Sequence, residues 1–97
     1  MEMKEYVPLF QLCESYSIED RFFDELQRAG LVEIIIVEEE SCLHIDMIDR
    51  LEKMIRLHQE LKVNIEGIDV VMNLLQKVDR LQHELNSTKN RLSIYEF

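Results

Sequence analysis

Glycine is scarce. The two glycines, Gly30 and Gly67, stand alone, so no Gly-rich loop is present to cradle a phosphate, and nucleotide binding has no support. Cysteine and histidine are equally sparse: Cys13, Cys42, His44, His58 and His83 show no CxxC, HxH or HExxH spacing, which leaves no metal-binding motif and no cofactor to expect. Basic side chains are outnumbered, 11 against 20 acidic, and the net charge of −9 disfavours nucleic acid as a partner. The longest apolar run, LVEIIIV, is interrupted by Glu33 and is far too short to span a bilayer, so no membrane partner is expected. The opening MEMKEYVPLF has no basic region followed by a sustained apolar stretch, and reduced thiols in a cytoplasmic protein are the corresponding expectation. At 97 residues, a large multi-domain enzyme is excluded.

The hydrophobic fraction of 46% suffices for a folded core. Charge is distributed unevenly along the chain. Residues 1–49 carry 13 acidic and 3 basic side chains, whereas residues 50–97 carry 7 and 8. The first half is therefore an anionic surface that repels phosphate and attracts a basic protein face, with an association rate that salt should screen.

Local signals order the elements. Pro8 suits the first position of a helix on which Leu9, Leu12, Cys13 and Tyr16 recur at helical spacing. Ser17 with Asp20 makes a variant capping box for a second helix over about Ile18 to Ala29, its buried side formed by Ile18, Phe22, Leu26 and Ala29 with Phe23 at the margin. Gly30 is placed to end that helix in a left-handed cap. The pair reads as a helix-turn-helix. The β-branched run Leu31 to Val37 reads as a strand, Glu38 to Ser41 as a turn, and Cys42 to His44 as its returning partner, together a small β-hairpin wing. Asp46 is the expected N-cap of a third helix with Ile48, Leu51, Met54, Ile55 and Leu61 on one face, Leu57 at its edge and His58 packed within it.

Asn64 is the expected N-cap of a last helix that no proline interrupts. Val71, Leu74, Val78, Leu81, Leu85, Thr88, Leu92 and Tyr95 are spaced 3, 4, 3, 4, 3, 4, 3, the a/d seam of a coiled coil, and most simply of a homodimer. A second stripe, Ile65, Ile68, Met72 and Leu75, covers only the first turns, where the helix should pack on the globular part, and Gly67 is expected to permit that packing. Flanking charges leave the direction of the coil open. Glu84 with Lys89 and Arg91 with Glu96 suit a parallel pair, while Glu84 with Lys77 or Arg91 suits an antiparallel one. The expected division is a winged helix-turn-helix domain over residues 1–62 and a dimerisation helix over 63–97, in which Val71, Leu74, Val78, Leu81, Leu85 and Leu92 make the dimer contact. The fold class is mainly α.

A helix-turn-helix suggests DNA binding, in which the second helix enters the major groove and basic residues grip phosphates. Here that helix carries Glu19, Asp20, Asp24 and Glu25 against Arg21 and Arg28, and the wing tip is Glu38-Glu39-Glu40. The sign is wrong for DNA. Each carboxylate alone reads as a solvated surface group, but their joint position makes Glu19, Asp20, Asp24, Glu38, Glu39 and Glu40 candidate contacts for a basic protein partner. Arg50, Lys53 and Arg56 read as ion-pair partners of Asp46, Asp49, Glu52 and Glu60 at helical spacing. No constellation announces a catalytic pocket, and the chain reads as non-enzymatic.

The order helix-turn-helix, wing, helix, long helix resembles the MerR group of regulators, and more closely the chaperone-modulator CbpM family. PLFQLCESYSIEDRFFDELQRAGLVE resembles that family's opening helix pair, and RLHQELKVNIEGIDVVMNLLQKVDRLQHEL its L-x-x-E-L…G-I-x-x-x-L helical segment. DNA-binding MerR proteins usually carry Arg-Tyr-Tyr a few residues before Gly-Leu, whereas Arg21-Phe22-Phe23 lies farther from Gly30-Leu31 and among carboxylates. The resemblance implies a modulator that binds the J domain of a DnaJ-like co-chaperone, at or near the basic helix that engages DnaK, and restrains it. The alternative it leaves is a MerR-type DNA-binding transcriptional regulator.

Overall fold

In the computed structural model, which describes residues 5–95, the apolar stripes of the short helices and the middle strand close on one core. The elements are β1 (Tyr6–Pro8), α1 (Leu9–Tyr16), α2 (Asp20–Arg28), β2 (Ile35–Val37), β3 (Glu40–His44), a 3-10 turn at Ile45–Met47, α3 (Ile48–Glu60) and α4 (Ile65–Tyr95). This is a mainly α winged helix-turn-helix with a long last helix. Phe23, Leu26, Leu43, Leu51, Met54 and Ile68 are fully buried, so α2, β3, α3 and α4 each contribute to the centre.

The wing is a three-stranded antiparallel sheet in the order β1-β3-β2. Strand β1 has no sequence counterpart in the expectation of a hairpin. It pairs Tyr6 with His44, Val7 with Leu43 and Pro8 with Cys42. Pro8 is thus the last residue of an edge strand and the extended N-cap of α1, at φ −63° and ψ 142°, rather than the first helical residue. An edge strand tolerates proline because it lacks one row of ladder bonds. Strand β2 is shorter than the β-branched run, because Leu31 and Val32 turn into the core instead of joining the sheet. Its partner β3 pairs with it from Val37–Glu40 to Ile35–Cys42, closed by Glu38 and Glu39 at φ 51° and 69°. Two consecutive left-handed residues mark a type I′ turn, which normally selects Asn and Gly.

Helix ends account for several boundaries. At Gly30, φ is +78°, the Gly30 amide donates to the Gln27 carbonyl and the Leu31 amide to Leu26, both at 2.9 Å, which is the expected left-handed cap. Ser17 does the same for α1 at φ 57°, with the Ile18 amide donating to Cys13 at 3.1 Å, so it ends one helix instead of capping the next. Helix α2 starts after Glu19, whose side chain makes no cap bond. Phe23 lies at the centre of the core rather than its margin, and Ala29 is exposed. Asp46 is not the N-cap of α3. It sits in the 3-10 turn, where its amide donates to His44 Nδ1 at 3.1 Å.

On α3, Leu51, Met54 and Ile55 are buried as the stripe requires, Ile48 and Leu57 are half-buried, and Leu61 is exposed because the helix has ended before it. Arg50, Lys53 and Arg56 make none of the expected ion pairs, since both pairs formed within 4.0 Å among the described residues involve His44, with Glu5 and Asp46. Extended basic side chains on a solvated helix gain little from such pairing.

Asn64 caps α4, its Oδ1 accepting from the Gly67 amide at 2.8 Å. Ile68 and Met72 are buried against the domain, but Leu75 is 41% exposed because the helix has already left it. The remaining seam is open: Leu74, Val78, Leu81, Leu85 and Leu92 all lie between 46% and 56% exposed. The Tyr95 side chain and Glu96 lie outside what is described.

Gly67 sits where a Cβ would come within 2.6 Å of Val63 Cγ1 and 3.1 Å of Asn64 Oδ1. Gly67→Ala, which in an open helix would gain about 1 kcal/mol, should therefore destabilise the protein by roughly 1 kcal/mol or more through overpacking. In a Val63→Ala background the sign should reverse. Urea denaturation of the four proteins in this cycle measures both effects, and stabilisation by Gly67→Ala alone would contradict the close-packing role.

Candidate functional site: an acidic cleft between the helix-turn-helix and the wing

The start of α1, the exposed face of α2 and the outer end of the wing enclose a cleft of about 370 Å³ lined by Leu9, Phe10, Asp20, Asp24, Glu40 and Ser41. Three of the expected contact carboxylates, Asp20, Asp24 and Glu40, are thus brought together from two elements. The spacing of Asp20 and Asp24 sets both on one face of α2, and the packing of Leu43 against the core carries Glu40 and Ser41 across from them. Glu38 and Glu39 form the hairpin tip next to this cleft. Glu19 is not part of it. It lines a separate hollow of about 590 Å³ with Arg21, Phe22, Glu25, His58 and Lys62, where opposite charges mix.

Two apolar side chains complete the cleft's surroundings, and neither was among the expected contacts. Phe10 is 61% exposed at the cleft wall, and Ile36, directly opposite Ser41 across the β2–β3 pair, is 65% exposed. Phe10 falls off the Leu9, Leu12, Tyr16 stripe of α1, and Ile36 alternates with its half-buried neighbours Ile35 and Val37. Both signals were available in the periodicity. Among the described residues, no cation lies within 4.0 Å of Asp20, Asp24, Glu38, Glu39 or Glu40. The cleft therefore offers uncompensated negative charge beside exposed apolar surface, a chemistry suited to a basic amphipathic segment.

The corner that sets α2 against α3 is anchored by polar contacts. Tyr16 Oη donates to Glu52 Oε2 at 2.6 Å, and Gln59 Nε2 donates to the Tyr16 and Ser17 carbonyls at 3.1 and 3.4 Å. The bond to Glu52, then burial, then the charges of Glu52 and Asp49 raise the Tyr16 phenol above its ordinary pKa, so it remains a donor. His58 is exposed, its ring over Phe22 at 4.7 Å and its Nδ1 3.2 Å from the Val63 carbonyl oxygen, which is a packing and hydrogen-bonding role at the second hollow. Among the described residues no three His, Cys, Asp or Glu side chains converge as metal ligands would, and no helix is long and apolar enough to cross a membrane.

The thiols belong to the framework. Cys42 is fully buried in β3, and burial, reinforced by the charge of Glu40 and opposed by a backbone hydrogen bond from Val37, raises its pKa. Cys13 Sγ donates to Asp20 Oδ1 at 3.2 Å and so orients one cleft carboxylate. Burial, then that hydrogen bond, then the Asp20 charge push the Cys13 thiol up to about 11. Thiolate is the reactive form, so at pH 8 iodoacetamide should modify Cys13 roughly 100-fold more slowly in the folded protein than in urea. Asp20→Asn should recover part of that rate. Equal folded and unfolded rates, followed by mass spectrometry, would contradict the raised thiol pKa, and a folded-state rate left unchanged by Asp20→Asn would contradict the contribution of the Cys13–Asp20 bond.

Comparison with known proteins agrees with this architecture. A family model described as MerR HTH family regulatory protein matches residues 7–90. Chaperone modulatory protein CbpM from three strains of Pseudomonas putida is similar to this chain, at 33%, 33% and 32% identity over 82 residues, 84% of this chain and 81% of each relative. No solved structure matches. With a winged helix-turn-helix whose recognition-helix position is acidic, and relatives of this extent, the chain belongs to the chaperone-modulatory CbpM family of the MerR helix-turn-helix group.

Proposed function

We propose that this protein is a non-enzymatic, cytoplasmic chaperone modulator that binds the J domain of a DnaJ-like co-chaperone and restrains its activity. The observation that carries the reading is the cleft in which Asp20, Asp24 and Glu40 converge beside exposed Phe10 and Ile36. The name of the curated relatives supplies the class of partner. In this reading the basic helix of the J domain lies along the cleft, its Lys and Arg heads near the carboxylates and an apolar side chain against Phe10. A J domain so covered is withheld from DnaK. The winged domain over residues 1–62 makes this contact, while the helix over 63–97 pairs two copies into a homodimer through its open seam.

The carboxylates on α2 and the wing oppose the DNA-binding alternative. A MerR-type regulator presents cations where this chain presents Asp20, Asp24 and Glu38 to Glu40. Calorimetric titration with a J domain from the same source, at low and moderate salt, tests the choice. Saturable binding that weakens with salt is the expected result, and retention of a promoter fragment with no J-domain binding would overturn it.

Variants sharpen that test. Joint reversal of Asp20, Asp24 and Glu40 to Lys should lower J-domain affinity at least tenfold, roughly 1.4 kcal/mol, and unchanged affinity would contradict the site. Glu38→Asn with Glu39→Gly removes two charges while supplying the residues that a type I′ turn prefers. Its folding stability should rise while the J-domain association rate falls, a divergence that general damage to the fold would not produce.

A further inference from the structure

We infer that the outer edge of β2 takes up an extended segment of a basic protein partner as a fourth strand of the wing. The inference goes beyond the docking of a helix in the cleft and stands without it. In the order β1-β3-β2 both outer strands are edges, and they differ. The two-residue Glu38–Glu39 turn closes on the hydrogen-bonded pair Val37–Glu40, so Ile36–Ser41 is a non-bonded pair and Ile35–Cys42 a bonded one. The Ile36 amide and carbonyl therefore point away from β3, and no other backbone group among the described residues bonds to them.

Continued across β3, the same alternation makes Val7–Leu43 the bonded pair on the other side and turns Pro8 outward. Pro8 has no amide to offer, which denies that edge a donor. The β2 edge carries no such block. Residues 31–40 contain no proline, lysine or arginine, and the one-to-one register of β2 with β3 leaves no bulge. Those are the devices that ordinarily keep an edge strand single.

Side chains around the edge specify the occupant. Ile36 is 65% exposed on the outer face, while Ile35 and Val37 are half-buried on the opposite one. Glu33 precedes the strand and Glu38 and Glu39 follow it, all exposed and with no cation within 4.0 Å among the described residues. The complement is a short apolar run with Lys or Arg at both ends. Its central residue pairs with Ile36, its apolar neighbours extend the cover over Ile35 and Val37, and its cations reach the carboxylates. Phosphate is repelled by the same carboxylates, which excludes nucleic acid from this edge. A second copy fails likewise, because antiparallel β2 strands centred on Ile36 would set each Glu33 opposite the second copy's Glu39.

The peptide acetyl-Lys-Lys-Val-Ile-Val-Lys-Lys-amide, titrated into the isotopically labelled protein, tests the inference. At saturation the Ile36 amide should exchange with water about tenfold more slowly than in the free protein, because strand addition engages that amide and side-chain contact does not. Methylating the amide nitrogen of the peptide's central Ile removes the donor to the Ile36 carbonyl and should weaken binding about tenfold. This comparison uses the unaltered protein and so does not depend on the folding of any variant. Ile36→Pro loses an amide that faces away from β3, leaves the β2–β3 ladder intact and should abolish binding, whereas Ile36→Thr keeps the backbone donor and should retain it. No binding at millimolar peptide, binding that leaves Ile36 exchange unchanged, or equal affinity for the methylated peptide would overturn the inference.

Discussion

Burial of Phe23 and Leu26 of α2 in the same core as Leu43 of β3 is the contact on which the candidate site depends. Those three side chains join the second helix of the helix-turn-helix to the central strand of the wing. Each fully buried Leu or Phe contributes about 1.5–3 kcal/mol relative to exposure, which is ample to hold like charges near one another on the outer surface. Asp20 and Asp24 face Glu40 because the residues beneath them are fastened together. The carboxylates contribute nothing to that attachment, and their mutual repulsion opposes it.

Such an arrangement stores a preference for positive charge. No cation among the described residues approaches these carboxylates within 4.0 Å, so an arriving Lys or Arg removes repulsion as well as forming an attraction. The Cys13 thiol orients Asp20 without neutralising it. The Glu38–Glu39 turn carries the same theme, since it places two carboxylates where Asn and Gly would be conformationally easier. Exposed Phe10 and Ile36 add apolar area that charge alone would not supply.

Much of this was legible in the residues. Helical periodicity located α1 to α4 and the α4 seam, Gly30 marked a left-handed helix end, and Asn64 marked a helix start, because each of these is a local rule with a local cause. The β1 strand was not legible. Three residues are too few to show a period, and Tyr6–Pro8 is a strand only because β3 lies beside it. Ser17 misled for a related reason: serine favours N-caps, yet here the chain needed a left-handed residue to end α1. Of the site, the acidic character was readable, but its partition was not. Asp20 and Asp24 meet Glu40, while Glu19, one residue earlier, turns to the other hollow, a separation set by tertiary packing. Phe10 and Ile36 could have been found by asking which apolar residues fall off the buried stripes.

The central claim is that the cleft, and not the MerR-type DNA-facing role, is the working surface of this chain. Chemical-shift mapping of the isotopically labelled protein with an unlabelled J domain tests it most directly. The account predicts perturbations concentrated at Phe10, Asp20, Asp24, Ile36, Glu40 and Ser41, with α3 left largely unchanged. Perturbations centred instead on Glu19, His58 and Lys62, or none at saturating J domain, would contradict it.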